Sequence, residues 1–271
     1  HFIMKYFLVI LAVILHLVSA SFAANIVIMV VEDPNNYEAP RTMHDFAEKQ
    51  LRPLGHEVTI IEGDKPQLHH FAGLVEALKN ADLLVLFSRR RFPPQDQMSA
   101  IRAHLEAGKP LLGIRTANHA FLPKPNEVVD ASLAPWPEFT HEVLGGENTG
   151  YEIKGLPYSV SVPDGVKTPL LEGVNVANIR GYQSLYQVLP LAADATSILI
   201  GTAQAGVATP PQPVSSAKLP VPMRRTASIR NSRSCAMARL SARRRPATMA
   251  TSSAARLVLA MCHARAKAPN R

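Results

Sequence analysis

Short apolar runs alternate with amphipathic stretches through the first half of the chain, a pattern that predicts strands buried on both faces with helices covering them. Asn25 to Val31 (NIVIMVV), His56 to Glu62 (HEVTIIE), Leu83 to Phe87 (LLVLF) and Pro110 to Ile114 (PLLGI) read as four strands. Three helices fall between them. The first starts at Pro40, turns Met43, Phe46, Ala47, Leu51 and Leu54 inward and stops at Gly55. The second covers Leu68 to Asn80, with Leu68, Phe71, Leu74, Val75 and Leu78 inward. The third opens at Pro93-Pro94, repeats Met98, Ile101 and Leu105 at helical spacing, and closes at Gly108 and Pro110. Four strands alternating with three helices predict an α/β fold: a flavodoxin-like, doubly wound, mainly parallel sheet with helices on both faces. Crossovers of this kind gather the carboxyl ends of the strands on one edge, where open α/β sheets bind ligands.

Beyond Phe121 the pattern loosens. Pro123, Pro125, Pro135 and Pro137 mark a long loop, and Phe139 to Leu144 reads as a short helix ended by Gly145-Gly146. Tyr158 to Val162, Ser184 to Val188 and Ser197 to Thr202 read as further strands. From about Val214 alternation stops, and the stretch to Arg271 is biased towards Arg, Ala, Ser, Pro and Met.

That stretch changes the meaning of the composition. The formal net charge of +8 suggests a nucleic-acid binder, yet 13 of the 29 basic residues and no acidic residue lie from Ser215 onward. The remainder carries 16 basic against 21 acidic residues, so the body is mildly acidic. The basic segment reads either as a disordered tail or as the product of an out-of-frame coding region. At the other end, Met4-Lys5 precedes an apolar run from Tyr6 to Val18 and the small-residue site Ser21-Phe22-Ala23, the pattern of a secretory signal cleaved after Ala23 or Ala24. The run falls short of the ~20 residues that span a bilayer, so no stable membrane anchor is expected. The expected division is residues 1–24 signal, 25–213 folded domain, incomplete at its C-terminal end, and 214–271 tail. Export to the periplasm or the outside conflicts with a nucleic-acid partner, so none is expected. Both cysteines, Cys235 and Cys262, lie in the tail, which leaves the body without a thiol nucleophile.

The chemistry-bearing residues cluster after the strands. Asp33 follows the first strand, Ser88 and the run Arg89-Arg90-Arg91 follow the third, and Arg115, Thr116, Asn118 and His119 follow the fourth. His119 and Arg115 are the candidates for catalysis; Asp33, Arg89, Arg91, Asn118, His141 and Glu142 are the candidates for binding substrate. Three cations ahead of a helix oppose its dipole, so at least one is expected to pair with Glu32 or Asp33. The spacing of His119 and His141 is no ligand signature, so no metal or cofactor is expected. His69 and His70 read as solvent-facing, and the lone Trp136 either stacks on a sugar ring or packs its loop.

The blocks LLVLFSRRR, GKPLLGIRTANHAF, HEVLGG and SLYQVLPLAADATSILIGT together resemble the ThuA-like (trehalose utilisation) family, of the class I glutamine amidotransferase-like superfold, over Asn25 to Thr202. Family members continue with further strands, a Gly-His-Pro-type turn and a last helix, which the tail does not show. In true amidotransferases the elbow after the corresponding strand presents a Cys, and Arg115 stands there in this chain. The resemblance implies a small carbohydrate or sugar derivative as partner, Arg115 at the elbow implies no glutaminase activity, and the signal pattern implies export. A non-catalytic interaction module, or a truncated inactive relative, remains open as the alternative, and so does self-association.

Overall fold

The computed structural model describes residues 23–152, 156–181, 184–204 and 211–218; the signal segment to residue 22 and the tail beyond 218 lie outside the described residues. The first half is a four-stranded parallel sheet in the order β2-β1-β3-β4, formed by β1 (Asn25–Val30), β2 (Glu57–Glu62), β3 (Leu83–Phe87) and β4 (Leu111–Gly113). That order is the flavodoxin-like one, and it places the change of winding direction between β1 and β3.

Both faces of the sheet are dry. Val27 and Met29 of β1, with Leu84 and Leu86 of β3, pack against α2 (Leu74–Lys79) and α3 (Gln95–Glu106) through Leu74, Leu78, Met98 and Ile101. On the opposite face Ile26, Ile28 and Val30, with Leu83, Val85 and Phe87, meet Met43 and Phe46 of α1 (Ala39–Phe46) and Ala47 and Leu51 of the wider turn that extends it. All five residues of β3 are buried, and burying each such side chain contributes about 1.5–3 kcal/mol, so the central strands hold the frame rigid.

Four expectations need correction, the first being Leu54, which is 57 % exposed rather than turned inward. The second helix is shorter than its periodicity predicts, because Gly73 takes a left-handed φ of 82° and starts it only at Leu74. Leu68 is consequently exposed, and Val75 lies at the edge of the apolar face rather than inside it. His69 is not solvent-facing: its Nδ1 accepts the Phe92 N–H at 3.1 Å and its ring stacks on Phe92 at 5.0 Å. Strand structure also runs past Val214, as the last strand of a second sheet.

That second sheet is antiparallel, in the order β10-β9-β6-β7, from β6 (Tyr158–Ser161), β7 (Arg180–Gly181), β9 (Ala195–Ala203) and β10 (Gln212–Lys218). The Tyr158 ring lies across its cross-strand partner Gly181, where a Cβ would come within 1.8 Å of it, so only glycine fits. A two-stranded ribbon of β5 (Gly150–Tyr151) and β8 (Tyr186–Gln187) joins the halves. Glu152 N–H on the Leu185 carbonyl at 2.8 Å extends the ribbon, and Ala192 N–H on the Gly145 carbonyl at 2.7 Å ties the chain that follows it to the segment after β4. The effect is to lay Tyr186 over the carboxyl edge of the parallel sheet.

Candidate functional site

The site begins where β1 ends. Past Val31 the chain turns sharply, with Asp33 accepting the Asn35 N–H on Oδ1 and the Asn36 N–H on its carbonyl, each at 2.8 Å. The Asn36 side chain is wholly buried and donates to the carbonyls of Val31 at 2.9 Å and Phe87 at 3.0 Å. Its Oδ1 in turn accepts the Thr116 hydroxyl. One amide therefore ties together the ends of β1, β3 and β4, at the point where the sheet changes winding direction. Tyr37 and Glu38 follow with left-handed φ of 58° and 53°, which turns the Tyr37 ring towards the end of β4.

After β4 the chain makes an elbow. Arg115 has φ 47°, unusual for a residue with a Cβ, and starts a tight helical turn over Arg115–His119. Gly113 makes the approach feasible: a Cβ there would lie 2.8 Å from Leu144 Cδ2 and 3.1 Å from Ala117 Cβ. The Arg115 guanidinium donates to the Ser184 carbonyl at 3.0 Å and the Tyr37 hydroxyl at 2.8 Å. It lies 5.0 Å from the Tyr37 ring centre and 4.4 Å from that of Tyr186, a cation held between two aromatic faces. Of its five N–H donors two are committed among the described residues.

The arginine run after β3 is half-buried rather than solvated. Arg91 donates through Nε to both Asp64 oxygens, at 2.8 and 2.9 Å, and Asp33 lies 3.8 Å from Arg89 and 3.7 Å from Arg91. The expected pairing with Asp33 is thus present, while Glu32 is exposed and Asp64 is the closer partner. Arg90, with φ 49°, donates to the Leu122 carbonyl at 2.8 Å and, among the described residues, to no carboxylate. The backbone N–H groups of Arg90 and Arg91 bond the carbonyls of His119 and Ala120, which fastens the run to the elbow.

His119 is half-buried beside Tyr186, with ring centres 6.1 Å apart, and its Nε2 lies 3.4 Å from Asn148 Nδ2. Burial first, then the charges of Arg90 and Arg89, hold its pKa down to about 4, with the Asn118 backbone pulling weakly the other way. The imidazole is therefore neutral at pH 7, able to exchange hydrogen bonds but not to serve as a ready proton donor. Burial pushes the Tyr186 phenol up to about 12, so it keeps its proton as well.

Asp33, Arg89, Arg91, Arg115 and His119 thus gather around Tyr186 and the β1–β3 junction. Asn118 is adjacent: its carbonyl accepts the Thr140 hydroxyl at 2.9 Å, and its buried Oδ1 has no hydrogen bond among the described residues. His141 and Glu142 face other neighbours. His141 is exposed, 3.8 Å from Glu147, and the Glu142 carboxylate accepts the Trp136 indole N–H at 2.9 Å. Trp136 is 2 % exposed under the Arg102 guanidinium at 3.5 Å, so it packs its loop and offers no face to a sugar. Asn36, Tyr37, Asp64 and Tyr186 are site residues that the sequence reading missed. The Asn35-Asn36-Tyr37 turn directly after a strand was a usable signal for two of them. No group of three or more His, Cys, Asp or Glu side chains that could hold a metal occurs among the described residues.

No family profile and no curated protein matches the chain. Among solved structures, a protein of Bacteroides uniformis ATCC 8492 described as ThuA-like is similar at 14 % identity and a TM-score of 0.53, covering 73 % of this chain and 79 % of its own. The chain has the fold of a ThuA-like protein. A second protein so described, from Parabacteroides merdae ATCC 43184, is similar at 14 % identity and a TM-score of 0.41, over 66 % of this chain and 68 % of that one. No helix among the described residues is long and apolar enough to cross a membrane.

Proposed function

We propose that this chain is an exported member of the ThuA-like family that binds a carbohydrate or sugar derivative at the carboxyl edge of its parallel sheet and hydrolyses no glutamine. Arg115 carries the reading. It occupies the strained elbow where amidotransferases of this superfold place their nucleophile, and a guanidinium stays protonated and cannot attack an amide carbon. What a guanidinium does well is donate in a planar fork, and only two of its five N–H groups are engaged among the described residues. A polyol also needs acceptors, and the Asp33 carboxylate, the Asn118 Oδ1 and the neutral His119 ring supply them at the same edge. Export rests on the apolar N-terminal run with its small-residue site, and a body without cysteine is suited to an oxidising compartment.

Calorimetry of the full chain with glucose, trehalose and their oxidised derivatives tests the reading, alongside an ammonia-release assay on glutamine. Saturable binding lost in Arg115→Ala, with no ammonia released, is the expected result. Binding unchanged by the substitution, or turnover of glutamine, overturns it.

A further inference from the structure

We propose that the ligand of this edge carries an oxyanion, so that the sugar it takes is an acid or a phosphate ester rather than a neutral polyol. The inference rests on the carbohydrate reading for the sugar part, and on the charge arrangement alone for the anionic part.

Four guanidiniums, Arg89, Arg90, Arg91 and Arg115, stand after β3 and β4, against the carboxylates Asp33 and Asp64. Asp64 is committed to Arg91 at 2.8 Å. Asp33 is shared between Arg89 and Arg91 at 3.8 and 3.7 Å, the outer limit of an ion pair. Arg90 and Arg115 rest on neutral partners: the Leu122 carbonyl for one, the Ser184 carbonyl and Tyr37 hydroxyl for the other. Glu127 acts on Arg90 only through its more distant field. Among the described residues the cluster therefore sets four guanidiniums against two paired carboxylates, in half-buried positions where water screens poorly.

Two further observations point the same way. The Nε of Arg90 and the hydroxyl of Ser88 are buried donors with no acceptor among the described residues, so the donors of this edge outnumber the acceptors that face them. The cations also converge on one place: the charges of Arg115 and Arg89 both act on the Tyr186 phenol, and those of Arg90 and Arg89 both act on His119 beside it. A neutral sugar would leave that field uncompensated. A carboxylate or phosphate neutralises it and forms charge-assisted hydrogen bonds roughly twice as strong as neutral ones.

Calorimetry of the full chain at low salt, with glucose, glucuronate, glucose 6-phosphate and inorganic phosphate as probes, tests the inference. The expected result is binding of glucuronate or glucose 6-phosphate at least about tenfold tighter than glucose, a difference of ~1.4 kcal/mol, that weakens as salt is raised. The two acidic sugars distinguish a carboxylate from a phosphate receptor. Arg115→Gln and Arg89→Gln should each abolish the preference while far-ultraviolet circular dichroism and Trp136 fluorescence stay parental; because Arg89 is held by a 3.8 Å ion pair to Asp33, its variant decides the matter if Arg115→Gln fails to fold. Equal binding of glucose and its acidic counterparts overturns the oxyanion and leaves the carbohydrate reading standing. Arginine-dependent binding of inorganic phosphate, with neither acidic sugar any tighter, upholds the oxyanion and overturns the carbohydrate. No binding by any probe overturns both.

Discussion

Asn36→Ala removes the one side chain that links the ends of β1 and β3 to the elbow after β4. Asn36 is wholly buried and makes three hydrogen bonds, to the carbonyls of Val31 and Phe87 and from the Thr116 hydroxyl. At about 1 kcal/mol for each bond lost, the substitution costs about 3 kcal/mol. For a domain of this size that lowers Tm by roughly 6–12 °C. Trp136 is the chain's single tryptophan and is 2 % exposed, so its fluorescence in a urea titration reads the unfolding directly. Thr116→Val should cost about 1 kcal/mol by itself, since it breaks only the bond to Asn36 Oδ1. In the double variant that bond is already gone, so the two costs should fall short of additivity by about 1 kcal/mol. An Asn36→Ala protein within about 0.5 kcal/mol of the parent, or strict additivity in the double variant, refutes the assignment of Asn36 as the clamp of this edge.

Further outcomes follow from the same geometry. Arg115→Gly should be more stable than Arg115→Ala by about 1 kcal/mol, since only glycine holds φ 47° without strain, and equal urea midpoints would contradict that. His119 should titrate near pH 4 by proton NMR, and Arg90→Gln should move it upward by removing a repelling charge; a titration near 6.5 in the parent would contradict both. Because the folded pKa lies below the unfolded one, the unfolded chain gains a proton first as pH falls, so this residue's contribution to stability is lost between about pH 6.5 and 4. His119→Gln should flatten that part of the stability profile. Gly181→Ala should destabilise by about 1–3 kcal/mol, because the new methyl meets the Tyr158 ring, and the loss should shrink in a Tyr158→Leu background.

Much of the frame was legible in sequence because buried parallel strands are written as unbroken apolar runs: Leu83–Phe87 forms a strand from the first to the last of those residues. Asn25 to Val31 and His56 to Glu62 each differ from the strand formed by a single residue. The second helix was overextended because apolar periodicity does not register a backbone stop such as Gly73. The elbow was legible because Arg115 directly follows a strand, and so was the pairing of the arginine run with Asp33. Tyr186 was not: it reaches the site through the pairing of β5 with β8, a long-range contact with no local signature. Trp136 had two readings that only its burial separates, and Asn36 looked like an ordinary turn residue until the carbonyls that it caps were visible.

The guanidinium of Arg115 leans on a carbonyl 69 residues further along the chain. On a ribosome moving at roughly 5–20 residues per second, the parallel sheet emerges several seconds before the segment that Arg115 rests on. A nascent or clipped chain ending ahead of Ser184 would lack both the carbonyl and the Tyr186 ring that hold Arg115, so under the proposed function ligand capture would report on whether the later strands have docked.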